Sequence, residues 1–97
     1  MGKERLEQNL IDQMKEAQLK LGFEEETMRL YYPVASLNLL LGTNCETAKE
    51  MVTELTDLFV DGTGVLGDMS FRVSAGRIEV SVPPAGSLYV HEHMGDV

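Results

Sequence analysis

The sequence predicts an α+β fold of the winged-helix kind, in which three helices pack on a small antiparallel β-hairpin. Apolar residues recur every three or four positions in three stretches, which is typical of helices buried along one face. Residues 69–82 instead alternate apolar and polar on either side of Ala75-Gly76, which is typical of a hairpin. A length of 97 residues suits one hydrophobic core. We therefore expect a single domain over residues 1–97, in the order helix, strand, helix, helix, strand, strand.

The first helix is predicted over Lys3–Leu21. Its apolar residues are spaced three and four apart, so they form one stripe along the helix. They are Leu6, Leu10, Ile11, Met14, Ala17 and Leu21. Gly22 follows at the position where a left-handed glycine commonly ends a helix.

A short strand is predicted at residues 28–32, where apolar and polar residues alternate before Pro33. The proline disfavours a helical conformation at Tyr32 and so favours an extended one. A short helix beginning at Glu24 is the alternative, because the acidic residues 24–26 would suit the positive end of a helix dipole.

The second helix is predicted over Val34–Leu41, between Pro33 and Gly42. The fixed φ angle of Pro33 suits the first turn of a helix, where its missing N–H group is not needed. Gly42 is the expected C-terminal stop. The inward residues are predicted to be Leu37, Leu40 and Leu41.

The third helix is predicted to begin at a capping box of Thr43 and Glu46 and to run to about Val60. Its exposed face is acidic, with Glu46, Glu50, Glu54, Asp57 and the following Asp61 against Lys49 alone. In a winged-helix protein this helix would enter the major groove of DNA. Carboxylates there would face the phosphates, whose neutralisation by lysine and arginine supplies much of the affinity. The sequence therefore argues against nucleic-acid binding by this helix.

The hairpin has a strongly specified register, because a slip of one residue would turn every apolar side chain outward. The predicted pairs are Met69 with Val82, Phe71 with Val80 and Val73 with Ile78 on the apolar side, and Arg72 with Glu79 on the other.

Ala75-Gly76 is predicted as a two-residue loop. A type I turn with a bulge at Gly76 is the alternative, since alanine is not favoured at the first position of a mirror-image turn. Pro83-Pro84 ends the hairpin, and Leu88–His91 is predicted as a further short strand.

The composition is acidic. Sixteen aspartate and glutamate residues against eight lysine and arginine residues give a net charge of −8, which opposes contact with polyanions and anionic membranes. We expect neither a signal peptide nor a membrane-spanning helix. The single cysteine, Cys45, rules out an internal disulfide and fits a reducing compartment, so we expect a cytoplasmic protein.

The side chains best suited to bind a metal ion lie in His91-Glu92-His93. If this segment is extended, the two imidazoles point to the same side, as two ligands of one metal ion would. A structural zinc site needs four ligands, and the sequence has no second histidine pair and no cysteine pair, so His91 and His93 are weak metal candidates. Cys45, at the predicted start of the third helix, has no histidine close in sequence to act as a base. We expect no cofactor and no enzymatic activity.

Two segments of the chain are Leu21–Gly42 (LGFEEETMRLYYPVASLNLLLG) and Arg77–His93 (RIEVSVPPAGSLYVHEH), in which the YYP and PP…YVHE pieces are the more distinctive parts. These segments resemble a family of uncharacterised bacterial proteins found among Firmicutes. The resemblance implies no activity and no site residue, because none is assigned to the family. Members continue beyond the YVHE segment into further helical sequence, so the resemblance raises the prospect of a form truncated at its C-terminus.

These observations favour a protein-interaction or assembly module that forms a homodimer. Burial between two copies would supplement the small core that 97 residues provide. The candidate contact residues are Tyr31, Tyr32, Glu50, Glu54 and Asp57. The alternative is a winged-helix transcription regulator that contacts DNA through Arg72 and Arg77 of the hairpin.

Overall fold

A computed structural model of the chain describes residues 2–23, 26–59 and 66–93. Four helices and three strands occupy these ranges. They are α1 (Gly2–Leu21), β1 (Met28–Tyr32), α2 (Val34–Leu41), α3 (Ala48–Leu58), β2 (Ser70–Ser74), β3 (Arg77–Val82) and α4 (Pro84–His93). The predicted α+β class and the order of elements through β3 are confirmed, and α4 is an addition. The winged-helix arrangement itself stays a prediction. None of the four helices is long and apolar enough to cross a membrane.

The three strands form one antiparallel sheet in the order β1-β3-β2. The hairpin has the predicted register, since Phe71 lies opposite Val80 and Arg72 opposite Glu79. The strand β1 pairs with the free side of β3, with Tyr31 opposite Glu79. The four rows that pass through residues 78–81 of β3 therefore continue from the hairpin into β1, and the alternation of the three strands is in phase.

The turn between β2 and β3 is the predicted two-residue loop, flanked by the paired residues Ser74 and Arg77. Ala75 and Gly76 both have positive φ angles, of 50° and 78°. Two left-handed residues in succession are the geometry of a type I′ turn, which matches the twist of a hairpin. The left-handed conformation costs alanine about 1–2 kcal/mol, so Ala75 is a strained position.

One face of the sheet packs on the helices and forms the hydrophobic core. The helices contribute buried residues from each of their inward faces, and the sheet contributes alternate residues of its strands. The core comprises Leu6, Leu10, Met14, Leu30, Tyr32, Leu37, Met51, Leu55, Leu66, Ile78, Val80, Val82 and Val90. The domain therefore has two layers, one of helices and one of sheet.

The start of α3 differs from the prediction. Its N-cap is Thr47, whose hydroxyl oxygen accepts a hydrogen bond from the Glu50 amide. Thr47 and Glu50 have the same Thr-x-x-Glu spacing as Thr43 and Glu46, and the helix is capped by the later threonine. The earlier segment forms a loop instead, which is held by hydrogen bonds with Asn38. The Asn38 side chain accepts hydrogen bonds from the Thr43 hydroxyl and the Cys45 amide, and donates one to the Cys45 carbonyl. Cys45 therefore lies in the loop between α2 and α3, outside the first turn of α3.

The predicted strand at Leu88–His91 is wrong, because these residues belong to α4. The segment carries no clear apolar stripe, and Gly86 has low helix propensity. Contacts with the rest of the fold hold the helix in place. A Cβ atom at Gly86 would lie 2.4 Å from Val82 Cγ1 and 2.5 Å from the Leu66 carbonyl oxygen, so glycine allows this close approach. Ser87 donates a hydrogen bond to the Glu26 carbonyl, and its own carbonyl accepts one from Gln18.

Candidate functional site

The side of the sheet that faces away from the helices carries polar residues at every position. Because side chains alternate along a strand, the pairing of β1, β3 and β2 fixes which residues share this side. They are Arg29, Tyr31, Ser70, Arg72, Ser74, Arg77, Glu79 and Ser81. We call these eight residues the outer sheet face. All of them except Glu79 are exposed or half-buried.

The outer sheet face is positively charged in an acidic protein. It holds three arginines and one glutamate, a net charge of +2, whereas the whole chain carries −8. The helix α1 is neutral, with four basic and four acidic residues. Outside α1 the chain has four basic residues, and three of them lie on this face. Of the eight acidic residues outside α1 that the structure describes, Glu79 alone lies on it. The strand register therefore places most of the basic residues outside α1 on one face, apart from most of the acidic ones.

Glu79 lies at the centre of the face, between two neighbours that bind it. The Tyr31 hydroxyl donates a hydrogen bond of 2.9 Å to Oε1, and the Arg72 guanidinium donates to both carboxylate oxygens from Nε and Nη2. These two side chains cover the carboxylate, which is 3% exposed. The hydrogen bonds from Arg72 and then Tyr31 lower the pKa of Glu79 below its usual range, against the opposing effect of desolvation.

The remaining members of the face are available for contact. Arg29 and Arg77 are exposed, and within the described ranges neither makes a hydrogen bond or an ion pair. Tyr31 is 49% exposed, although its hydroxyl is fixed by Glu79. That hydrogen bond raises the pKa of the Tyr31 phenol above its ordinary value. The face can thus offer two unpaired guanidinium groups and part of an aromatic ring to a ligand.

A groove of about 400 Å³ with a mixed apolar and polar lining begins beside the outer sheet face. Tyr31 and Pro33 line it together with Leu39 and Leu40 of α2 and polar residues of α1. Leu39 is 80% exposed, so this side of the groove presents an apolar side chain to solvent. The arginines of the face are therefore bordered by an exposed apolar edge at β1.

The predicted acidic face of the third helix is exposed in the structure. Glu50, Glu54 and Asp57 all lie on the solvent side of α3, whose inward residues Met51 and Leu55 are buried. The helix packs on the core side of β2 and β3. Its carboxylates therefore lie on the side of the molecule away from the outer sheet face.

The structure separates the two tyrosines of the predicted contact pair. Tyr32 is 4% exposed and belongs to the core, and its hydroxyl donates a hydrogen bond of 2.7 Å to Asn9 Oδ1. Burial raises the pKa of its phenol to about 12. Tyr32 is thus corrected from a contact residue to a core residue, because successive residues of a strand point to opposite sides.

The geometry proposed for His91 and His93 is also corrected. The two residues lie on a helix, where positions two apart point to nearly opposite sides. His91 stacks on Phe23 with ring centroids 4.0 Å apart, and His93 stacks on Tyr89 at 4.1 Å. Among residues 2–23, 26–59 and 66–93, no group of three histidine, cysteine or carboxylate side chains could hold a metal ion.

Sequence reasoning found Arg72, Arg77 and Glu79 but did not assign Arg29 to the same surface. The strand β1 was predicted without a partner, so the side on which Arg29 lies could not be related to the hairpin. The alternation of Arg29 and Tyr31 with apolar residues was the available signal. An antiparallel pairing of β1 with β3 places both residues beside Glu79 and Ser81.

Comparison with known proteins shows the family and no activity. No protein of curated function and no solved structure is significantly similar to the chain. A family model described as "Domain of unknown function, E. rectale Gene description (DUF3877)" matches residues 3–97. This match covers almost the whole chain, so the predicted resemblance to an uncharacterised bacterial family is confirmed and the chain belongs to that family.

Proposed function

We propose that the protein is a non-catalytic interaction module of the cytoplasm whose outer sheet face binds an acidic segment of a protein. The observation that carries the proposal is the segregation of charge. Arg29, Arg72 and Arg77 share one exposed face of a chain in which acidic residues outnumber basic ones two to one. Arginine binds carboxylates through paired hydrogen bonds, so such a face favours a carboxylate-rich ligand.

The roles of the three arginines differ. Arg72 is engaged by Glu79, and it orders the centre of the face. Arg29 and Arg77 are left to bind the ligand. The serines at positions 70, 74 and 81 are small, so the ligand can approach the strands closely between the guanidinium groups. Tyr31 and the neighbouring Leu39 supply apolar contact at one edge, and this combination with arginine is typical of protein interfaces.

A protein ligand fits this face better than a nucleic acid does. Affinity for duplex DNA depends largely on lysine and arginine residues that neutralise phosphates, whereas this face offers three arginines, one of them already paired with a carboxylate. Single strands are usually held by several aromatic rings on which the bases stack. The outer sheet face has one tyrosine, and the net charge of −8 repels a polyanion at longer range. Arg72 and Arg77 alone therefore give weak support to DNA binding through the hairpin.

Binding of model ligands to the wild-type protein tests the proposal. The ligands are a fluorescent glutamate-rich peptide of twelve residues and single-stranded and duplex oligonucleotides of equal charge, measured by fluorescence anisotropy at low salt. We expect the peptide to bind and the double variant Arg29→Glu with Arg77→Glu to bind it at least about tenfold more weakly, because two charge-assisted contacts are reversed.

The matched control is the double variant Arg5→Glu with Lys20→Glu. It has the same net charge but changes two exposed residues of α1, so its peptide affinity should fall far less than that of the face variant. Equal losses in the two variants would show that net charge alone determines binding. Tighter binding of an oligonucleotide than of the peptide would support the nucleic-acid alternative, and absence of peptide binding by the wild type would refute the proposal.

A further inference from the structure

We propose that the acidic segment bound by the outer sheet face is the exposed side of α3 in a second copy of this chain, which makes the protein assemble head to tail. This inference rests on the proposed function and names its partner. It combines two oppositely charged surfaces of the same molecule: the three arginines of the outer sheet face, and the acidic stripe formed by Glu50, Glu54 and Asp57.

The acidic stripe is continuous and rigid. Its three residues are spaced four and three apart, so they lie on one side of α3 and span about 10 Å along the helix axis. The stripe is exposed, and the N-cap hydrogen bond from the Glu50 amide to Thr47 fixes the start of the helix. A ligand of this kind binds without being ordered first, which avoids an entropic cost.

The arginines extend over a similar length. Arg29 lies opposite Ser81, which is four residues from Arg77 on β3. At about 3.4 Å per residue, the two arginines at the ends of the face lie about 14 Å apart along the strands. Arg72 lies between them on the other edge strand. The long side chains of arginine can cover the remaining difference in length, so both unpaired guanidinium groups can reach carboxylates of one stripe.

The two surfaces cannot meet within one molecule, because α3 packs on the core side of the sheet and its stripe is turned to solvent. A symmetric dimer through the outer sheet face would place arginines against arginines. A symmetric contact of the acidic stripe with itself would bring carboxylates together. The complementary arrangement is heterologous, with the sheet of one copy against α3 of the next, and such contacts generate open chains or rings.

The contact is small and depends on salt. Three strands about 4.8 Å apart and five residues of about 3.4 Å give the face roughly 250 Å², well below the about 800 Å² per partner of a stable complex. Each copy also carries a net charge of −8, which opposes association. We therefore expect assembly at high protein concentration and its loss when the charges are screened.

A charge-swap experiment tests this inference by analytical ultracentrifugation. At about 1 mM protein and low salt, the average mass of the wild type should rise above the 10.8 kDa of one chain and keep rising with concentration. The double variant Glu54→Lys with Asp57→Lys reverses the stripe, and Arg29→Glu with Arg77→Glu reverses the face. Each variant alone should remain monomeric, and an equimolar mixture should associate again, because each new contact pairs opposite charges.

The controls separate this inference from the proposed function. The variant Arg5→Glu with Lys20→Glu should assemble far more readily than the face variant, and circular dichroism should show that all variants are folded. A wild type that stays monomeric, or two variants that fail to associate when mixed, would refute head-to-tail assembly. If that same wild type binds the glutamate-rich peptide, the proposed function stands and the partner is another protein. If it does not bind the peptide, both head-to-tail assembly and the proposed function are refuted.

Discussion

The two sides of the β-sheet are built from the same three strands and have different physical roles. On the core side, Leu30, Val80 and Phe71 form one row across the sheet and pack on the helices. On the outer sheet face, the next row holds Tyr31, Glu79 and Arg72, which are joined by hydrogen bonds. Most of the core side is buried and supplies stability, although Val73 on the edge strand β2 is 48% exposed, whereas the outer face keeps charges in contact with solvent.

This difference shows how a small domain can keep a charged surface without weakening its core. Alternation along a strand separates the two sets of side chains completely, so the outer residues can change without repacking the inner ones. Glu79 is the exception, since it belongs to the outer face and is as inaccessible as a core residue. Variants of adjacent residues, which lie on opposite sides of one strand, therefore test whether the two sides of the sheet have different roles.

The largest expected difference is between Ile78 and Arg77, which are neighbours on β3. Ile78 is fully buried, so Ile78→Ala should lower the free energy of unfolding by about 2–5 kcal/mol. Arg77 is exposed, and Arg77→Ala should change it by less than about 0.5 kcal/mol. Urea unfolding followed by circular dichroism measures both. Similar losses in the two variants would contradict the separation of stability from binding.

A smaller and pH-dependent effect is expected for Glu79→Gln. The pKa of Glu79 is lowered in the folded protein by its hydrogen bonds with Arg72 and Tyr31, so the ionised carboxylate stabilises the fold above the unfolded pKa of about 4.3. This stability is lost as the pH falls through the lower folded pKa. The difference in melting temperature between wild type and variant should be largest near neutral pH.

As the pH falls through the lowered folded pKa of Glu79, that difference should become smaller, because the wild-type carboxylate is protonated and loses its charge. The variant Glu92→Gln is a suitable control, since Glu92 is an exposed acidic residue of α4. A difference between wild type and Glu79→Gln that stays constant from neutral to acidic pH would mean that the ionised state of Glu79 contributes nothing.

The tyrosines at positions 31 and 32 lie on opposite sides of β1 and should respond differently to loss of their hydroxyl groups. Tyr32→Phe removes the hydrogen bond to Asn9 in the core and should cost about 1 kcal/mol. Tyr31→Phe leaves Glu79 with its two contacts to Arg72 and should alter ligand binding more than stability. Denaturant unfolding and peptide anisotropy distinguish these outcomes.

An alkaline titration provides a second measurement on the same pair. Burial raises the pKa of Tyr32 to about 12, so its neutral form stabilises the fold and this stability is lost as the pH rises from the unfolded pKa of about 10 towards 12. Tyr32→Phe should remove the last step in the ultraviolet absorbance titration. If the step persisted in that variant, it would belong to another tyrosine.

Some parts of this architecture could be predicted from sequence because local patterns determine them. The hairpin register follows from alternation around Ala75-Gly76, and the ends of α1 and α2 follow from Gly22 and Gly42, whose φ angles are positive. The acidic side of α3 also lies in solvent, as the helical spacing predicted. In each case the deciding residues are close together in the chain.

Other parts depend on contacts between distant segments. The helix α4 has weak local signals and is held by Gly86 against Val82 and by hydrogen bonds of Ser87 with α1 and the segment before β1. The outer sheet face was missed as a unit for the same reason, since it requires the pairing of β1 with β3. The start of α3 also depends on a contact outside the local pattern, since Asn38 holds Thr43 and Cys45 in a loop by hydrogen bonds and the helix is capped by Thr47 instead.

The smallest expected effect is at the turn between β2 and β3. Here the substitution should raise the free energy of unfolding and not lower it. Ala75 adopts a left-handed conformation that asparagine tolerates better, and Asn-Gly is the preferred pair for a type I′ turn. Ala75→Asn should therefore raise the free energy of unfolding by less than about 1 kcal/mol. Peptide binding should not change, because the loop lies outside the outer sheet face.

Ala75→Val is the reciprocal test, since a β-branched residue is disfavoured at positive φ and should destabilise the fold. If Ala75→Asn instead lowered stability, the turn would have to be of another type, and the register that places Arg72 beside Glu79 and Arg77 on the outer face would need to be redrawn.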